Sequence, residues 1–202
     1  MKHSLLIPTL LLIVAIATVV RVQEAGALPM TFVGSLAGAN EVPTVASPGT
    51  GSATVVLDPT AQTIQVNATF SGLTSNDVAA HIHCCAPLGT NAGVATTVPA
   101  FPGFPLGVTS GSYSSAVFDL TQPTIYNPAF VTLEGGTIPQ AEAALIAGIE
   151  HGMTYLNIHT TNNPGGEIRG QLEPVPEPTT LVLWGTMMAG LGMIRRRRRR
   201  QN

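Results

Sequence analysis

Between Leu28 and Pro174 the chain carries one basic residue, Arg169, against nine carboxylates, Glu41, Asp58, Asp77, Asp119, Glu134, Glu142, Glu150, Glu167 and Glu173. A segment with a net charge of −8 repels nucleic acid and anionic lipid, so partners of those classes are excluded for it. The chain has only two cysteines, and they are adjacent, so no disulfide framework of the small secreted type is available. There is no His-Glu-x-x-His, no Gly-x-Ser-x-Gly, no P-loop and no Gly-x-Gly-x-x-Gly opening a helix. Metalloprotease, hydrolase-elbow and nucleotide chemistry therefore have no local signature. No pair of carboxylates is spaced for general acid–base work, and the reading is non-enzymatic.

What is present begins at the two ends. Lys2 and His3 precede an apolar run from Leu5 to Val20, and Ala25-Gly26-Ala27 fits an A-x-A cleavage site. Residues 1–27 are read as a signal peptide, with a mature start at Leu28. At the other end Pro176-Glu177-Pro178 leads into the apolar run Leu181–Ile194, followed by six arginines, Arg195–Arg200. That run is 14 residues long, where a spanning helix needs roughly 20. It reads as a marginal transmembrane segment, with the arginines on the cytoplasmic side and everything before it outside. Residues 28–174 remain as one domain of ordinary size, and 175–202 as a tail.

The domain reads as mainly β. Thr31–Leu36, Ala53–Leu57, Thr63–Phe70, Val78–His83, Ser112–Asp119 and Thr154–Thr160 are strand candidates between turn clusters, and Ile64, Val66, Ala68 and Phe70 share one face. One short helix is expected from Pro139 to Glu150, with Pro139 in its first turn and Gly152 past its end. Residues 84–111, rich in Gly, Pro and Thr, read as a long loop.

Two stretches carry chemistry. In Ala80-His81-Ile82-His83-Cys84-Cys85, residues two apart share a strand face, so His81 and His83 point together. In Tyr155-Leu156-Asn157-Ile158-His159 the same period puts Tyr155, Asn157 and His159 on one face. With the apolar sets facing the core, the histidines face outward, and neighbouring strands would bring three imidazoles together. His-x-His plus a third histidine suits zinc or copper. The alternative is that the imidazoles hydrogen-bond loop backbone and pin the segment after residue 83. Cys84 and Cys85 are weaker candidate ligands. Their other states are a vicinal disulfide, two free thiols or bridges to other chains, and the vicinal disulfide is preferred. Arg169 is expected to pair with Glu41 or Glu167 and lock the last strand against the first hairpin, a structural role.

Taken in order, the tail's Pro-Glu-Pro, apolar run and arginine cluster resemble the PEP-CTERM sorting signal of Gram-negative bacteria. That resemblance implies an exosortase-type processing partner and transient contact with the inner membrane. An ordinary C-terminal anchor is the other reading. Leu36–Pro43, Gly49–Leu57, Ala80–His83 and Tyr155–Leu172 resemble the CHRD domain in content and order. Asn157-Ile-His-Thr and Pro164-Gly-Gly-Glu-Ile-Arg-Gly-Gln-Leu172 carry most of the likeness, while Cys84-Cys85 stands where that family has a small residue or Gly-Pro. The resemblance implies an immunoglobulin-like antiparallel β-sandwich. The His-x-His strand is also similar to the copper-binding strand of Cu/Zn superoxide dismutase. The expectation is an exported surface or extracellular-matrix module with an unidentified extracellular ligand. Its alternative is a zinc or copper protein built on His81, His83 and His159, with redox activity open to it.

Overall fold

The structure is a computed structural model and describes residues 28–176. The segment expected to be a signal peptide, 1–27, and the expected sorting tail from Glu177 and Pro178 onward lie outside the described residues; Pro176 is the last residue within them. Among the described residues no helix is long and apolar enough to cross a membrane.

Alternation of apolar and polar residues sets the strands. β1 (Met30–Ala37), β2 (Thr50–Asp58) and β3 (Thr63–Ser71) form an antiparallel meander. Phe32, Leu36, Val55, Leu57, Ile64 and Val66 point to one side and are buried. The β2–β3 turn is closed by Asp58, whose Oδ1 accepts from the amides of Thr60 and Ala61. β4 (Asp77–Cys84), the two-residue β5 (Gly93–Val94), β6 (Gly111–Ser114) and β7 (Phe118–Asp119) follow. After two helices come β8 (Thr154–Thr160), β9 (Ile168–Gln171) and β10 (Glu173–Pro174).

These strands form one antiparallel sheet in the order β5-β4-β8-β9-β1-β2-β3-β6, with β10 on β1 and β7 on β3. The mainly β, antiparallel expectation holds. In place of two separate sheets, the path is continuous and passes through β9, which pairs with β8 along its length and with β1 only at Ala37↔Arg169. Ala80, Ile82, Leu156 and Ile158 from one half share a single core with Val55, Leu57, Ile64 and Val66 from the other, so the sheet curls around that core. The expected Ser112–Asp119 strand is split into β6 and β7.

The expected helix is α2 (Ile138–Glu150), which buries Ala141, Leu145 and Ile149. A shorter helix, α1 (Pro128–Leu133), precedes it, capped by the Asn127 side chain on the Ala129 amide. Cys84 and Cys85 are joined to each other and sit against α2 at Gly148. A Cβ at Gly148 would meet both sulfurs, which is why the helix carries glycine there. Residues 85–110 do not hang free. Ala95, Phe101 and Phe104 are buried in the core, and the segment runs along the edge of β4, where the Ala80 amide donates to Pro99 O and the Ala95 amide to Ile82 O.

A candidate three-histidine metal centre

The pleat of β4, β8 and β9 builds the site. Ala80 and Ile82 of β4, Leu156 and Ile158 of β8, and Ile168 of β9 enter the core. The opposite face carries His81 and His83, then Tyr155, Asn157 and His159, then Arg169. The register lines up His81 with Asn157 and Asn157 with Arg169, while His83 lies beside Tyr155. A bulge between Asp77 and Ala79 shifts the pairing so that Ala79 faces His159.

The histidines do not face solvent, as alternation alone had suggested. They are 5%, 7% and 7% exposed for His81, His83 and His159. Loop segments cover them, and each imidazole is anchored to one loop carbonyl. His81 Nδ1 lies 3.1 Å from Pro99 O, His83 Nδ1 2.9 Å from Ala92 O, and His159 Nδ1 3.0 Å from Pro164 O. A carbonyl oxygen can only accept, so each Nδ1 carries the proton and each Nε2 keeps its lone pair.

Those bare nitrogens converge. The ligand atoms of the three histidines lie within 4.8 Å of one another, and His83 Nε2 is 3.4 Å from His159 Nε2. Two lone pairs at that distance repel, and a hydrogen bond between them would need a proton that neither holds. His81 Nε2 is buried with no partner. Burial pushes His81 down to about 3, helped by the charges of His159 and His83. His83 is pushed down to about 4 by burial, against support from the Ala92 carbonyl. Burial also lowers His159, against the Pro164 carbonyl. The trio is therefore neutral at physiological pH, the form that ligates metal. Two imidazoles on one tetrahedral zinc, with Zn–N of about 2.0–2.1 Å, stand about 3.4 Å apart. The His83–His159 spacing matches that edge. The backbone anchors are the outer-shell partners that such ligands use to fix ring orientation.

The other residues singled out by sequence lie elsewhere or act differently. Cys84 points to the core side, and with the two sulfurs bonded to each other neither offers a thiolate; they are not brought to the histidines. Arg169 makes no direct hydrogen bond to a carboxylate, though its charge acts on the nearby Glu41. Its Nε donates to Asn40 O at 2.6 Å and its Nη1 to Asn91 Oδ1 at 2.7 Å, and its guanidinium lies 4.5 Å from the centre of the Tyr155 ring. Tyr155 in turn stacks on His83 at 4.7 Å. Arg169 still ties β9 to the end of β1, through Asn40 instead of an acid.

Glu167 is fully buried among neutral donors. Oε1 accepts from Ser47 Oγ and the Thr74 amide, and Oε2 from Thr74 Oγ1, Thr160 Oγ1 and Asn163 Nδ2. Burial raises its pKa, but the bonds from Ser47, Thr160 and Thr74 outweigh that and hold it below the usual carboxylate range. Glu41 is 5% exposed and is pushed up to about 7 by burial, against the Arg169 charge and Asn157. Sequence reasoning placed Asn157 on the histidine face but gave it no role. The loop carbonyls that fix the tautomers carry no residue-type signal at all.

The CHRD domain model matches residues 32–172, which include every strand of the site and all three histidines. No curated protein and no solved structure matches the chain. With the match spanning well over half the chain, this protein belongs to the CHRD domain family.

Proposed function

We propose that this protein is an exported surface or extracellular-matrix module whose CHRD domain holds one zinc or copper ion through His81, His83 and His159. The observation that carries the metal reading is the convergence of three neutral imidazoles. Each is tautomer-locked by a loop carbonyl, and two bare nitrogens stand 3.4 Å apart. Nitrogen-only ligands suit zinc and copper better than calcium or magnesium, which take oxygen. Export rests on the N-terminal leader and the Pro176-Glu177-Pro178 tail, with an exosortase-type enzyme as processing partner, and agrees with a domain family typical of extracellular proteins. The module's extracellular ligand is of a class compatible with an acidic domain, so not nucleic acid.

Fractionation with elemental analysis tests both halves together. The full chain is expected in the envelope with close to one zinc or copper per protein, and a chain lacking residues 176–202 in the medium with the same metal content. A His81→Ala/His83→Ala double variant is expected to keep its location and lose the metal. Metal-free protein at neutral pH would overturn the metal reading, and fractionation unchanged by the deletion would overturn the tail as anchor.

A further inference from the structure

Beside the three nitrogens lies a second cluster with unmet chemistry. Asn157 is 2% exposed, and its Oδ1 has no partner. Glu41 comes from the turn after β1; Asn157 acts on its carboxylate through a side-chain hydrogen bond, yet its Oε1 has no partner of its own. A Cβ on Gly166 would meet the Asn157 amide nitrogen and both of these oxygens, the oxygens at 2.8 Å, so glycine there is what lets the two side chains lie together. Asn157 is the cross-strand neighbour of His81, whose Nε2 is the third unpartnered atom on this face.

Leaving a buried polar atom unpaired costs its desolvation without return. Three on one patch point to an occupant. All three are lone-pair acceptors: the nitrogen takes a Lewis acid or a donor, and the two oxygens take hydrogen-bond donors. A water bound to a metal through its oxygen has two O–H groups to donate. Glu41 lies outside the group of clustered ligand atoms, so it is not one of the ion's direct ligands. Three protein ligands with a water in the fourth place is the arrangement of open zinc sites, whereas closed structural sites use four protein ligands.

We propose that the metal keeps a fourth, exchangeable position, occupied by water held by Glu41 Oε1 and Asn157 Oδ1 and replaceable by small anions. This rests on the three-histidine reading above and extends it from a structural site to one that takes an exogenous ligand.

The test uses the full chain loaded with cobalt(II), whose visible spectrum reports its ligands, titrated with azide at constant pH. The wild-type protein is expected to take up one azide per cobalt with a change in the visible bands. At pH 8, above the value of about 7 to which burial raises Glu41, Glu41→Gln removes a charged acceptor from the water and is expected to tighten azide about tenfold or more, in line with a hydrogen bond to a charged group. Asn157→Ala removes an acceptor but no charge, and is expected to shift azide affinity in the same direction by a smaller factor. A spectrum indifferent to saturating azide in the wild-type protein would overturn the open position while leaving the three-histidine site intact. So would azide affinities within twofold of wild type in both variants. Failure to take up cobalt at all would overturn both readings. The wild-type titration needs no variant, so it decides even where a substitution prevents folding.

Discussion

Stripped of metal, the domain is expected to lose stability steeply as the pH falls below 6.5. The three imidazoles are ordinary histidines in the unfolded chain and take up protons near 6.5. In the folded state burial holds His81 down to about 3 and His83 to about 4, and lowers His159 as well. Below 6.5 the unfolded chain therefore binds more protons, and stability must fall with pH. It is fully present above 6.5 and lost progressively towards the folded-state values. Glu41, raised to about 7 by burial, and Asp77, also raised by burial, act in the opposite sense, because the folded state holds their protons longer. His81 and His83 against Glu41 leave a net of one proton, or about 1.4 kcal/mol per pH unit, with His159 acting in the same direction and Asp77 against it. Against a typical total of about 5–15 kcal/mol, two pH units consume much of the margin. Thermal unfolding followed by circular dichroism in a chelator, from pH 7.5 to 4.5, measures this. Zinc at a hundredfold excess over its Kd should add about 2.7 kcal/mol at neutral pH and much less at pH 4.5, where protons displace it. A chelated domain whose melting temperature stays flat between pH 7 and 5 would show that the imidazoles titrate as if exposed.

Glu167→Gln is expected to be among the most damaging conservative changes in the domain. The carboxylate receives five donors on two oxygens, from Ser47, Thr74, Thr160 and Asn163. An amide of the same shape turns one acceptor into a donor, which then faces either the Ser47 hydroxyl and Thr74 amide or the Thr74, Thr160 and Asn163 donors. Charge-assisted bonds contribute about 1.5–3 kcal/mol each, and the facing donors add a desolvation cost. A loss on the order of 3 kcal/mol or more follows, lowering Tm by roughly 10 °C in a domain of this size. The effect reaches the site. Asn163, held by Glu167, precedes Pro164, whose carbonyl fixes the His159 tautomer. Zinc affinity should therefore fall with stability. A Glu167→Gln protein that melts within 2 °C of wild type, a margin of well under about 1 kcal/mol, would show that the carboxylate is not the anchor of these loops.

Much of this was legible from the period of two. Ala80/Ile82 against His81/His83, and Leu156/Ile158 against Tyr155/Asn157/His159, give both the strands and the shared face of the imidazoles. The strength of α2 lies in Leu145 and Ile149 on one face, which the sequence also displays. What alternation could not supply is the covering of that face. Residues 85–110 look like free loop because Gly, Pro and Thr are frequent, yet three of their apolar side chains, Ala95, Phe101 and Phe104, are buried and dock them. The acceptors that fix the histidine tautomers are main-chain carbonyls of Ala92, Pro99 and Pro164, and any residue has a carbonyl. Arg169 illustrates a different limit. A lone base among nine acids suggests an ion pair, but the guanidinium found a peptide oxygen, an amide and a ring, because β9 places it beside Asn40, Asn91 and Tyr155. The single sheet path through the four-residue β9 is likewise a matter of long-range register, which no local pattern encodes.

X-ray absorption at the zinc or copper edge of the metal-loaded protein tests the centre most directly. The account predicts a first shell of nitrogen and oxygen only, at about 2.0–2.1 Å for zinc, with outer-shell scattering from three imidazoles. A sulfur shell at about 2.3 Å, or a first shell without imidazole scattering, would contradict it.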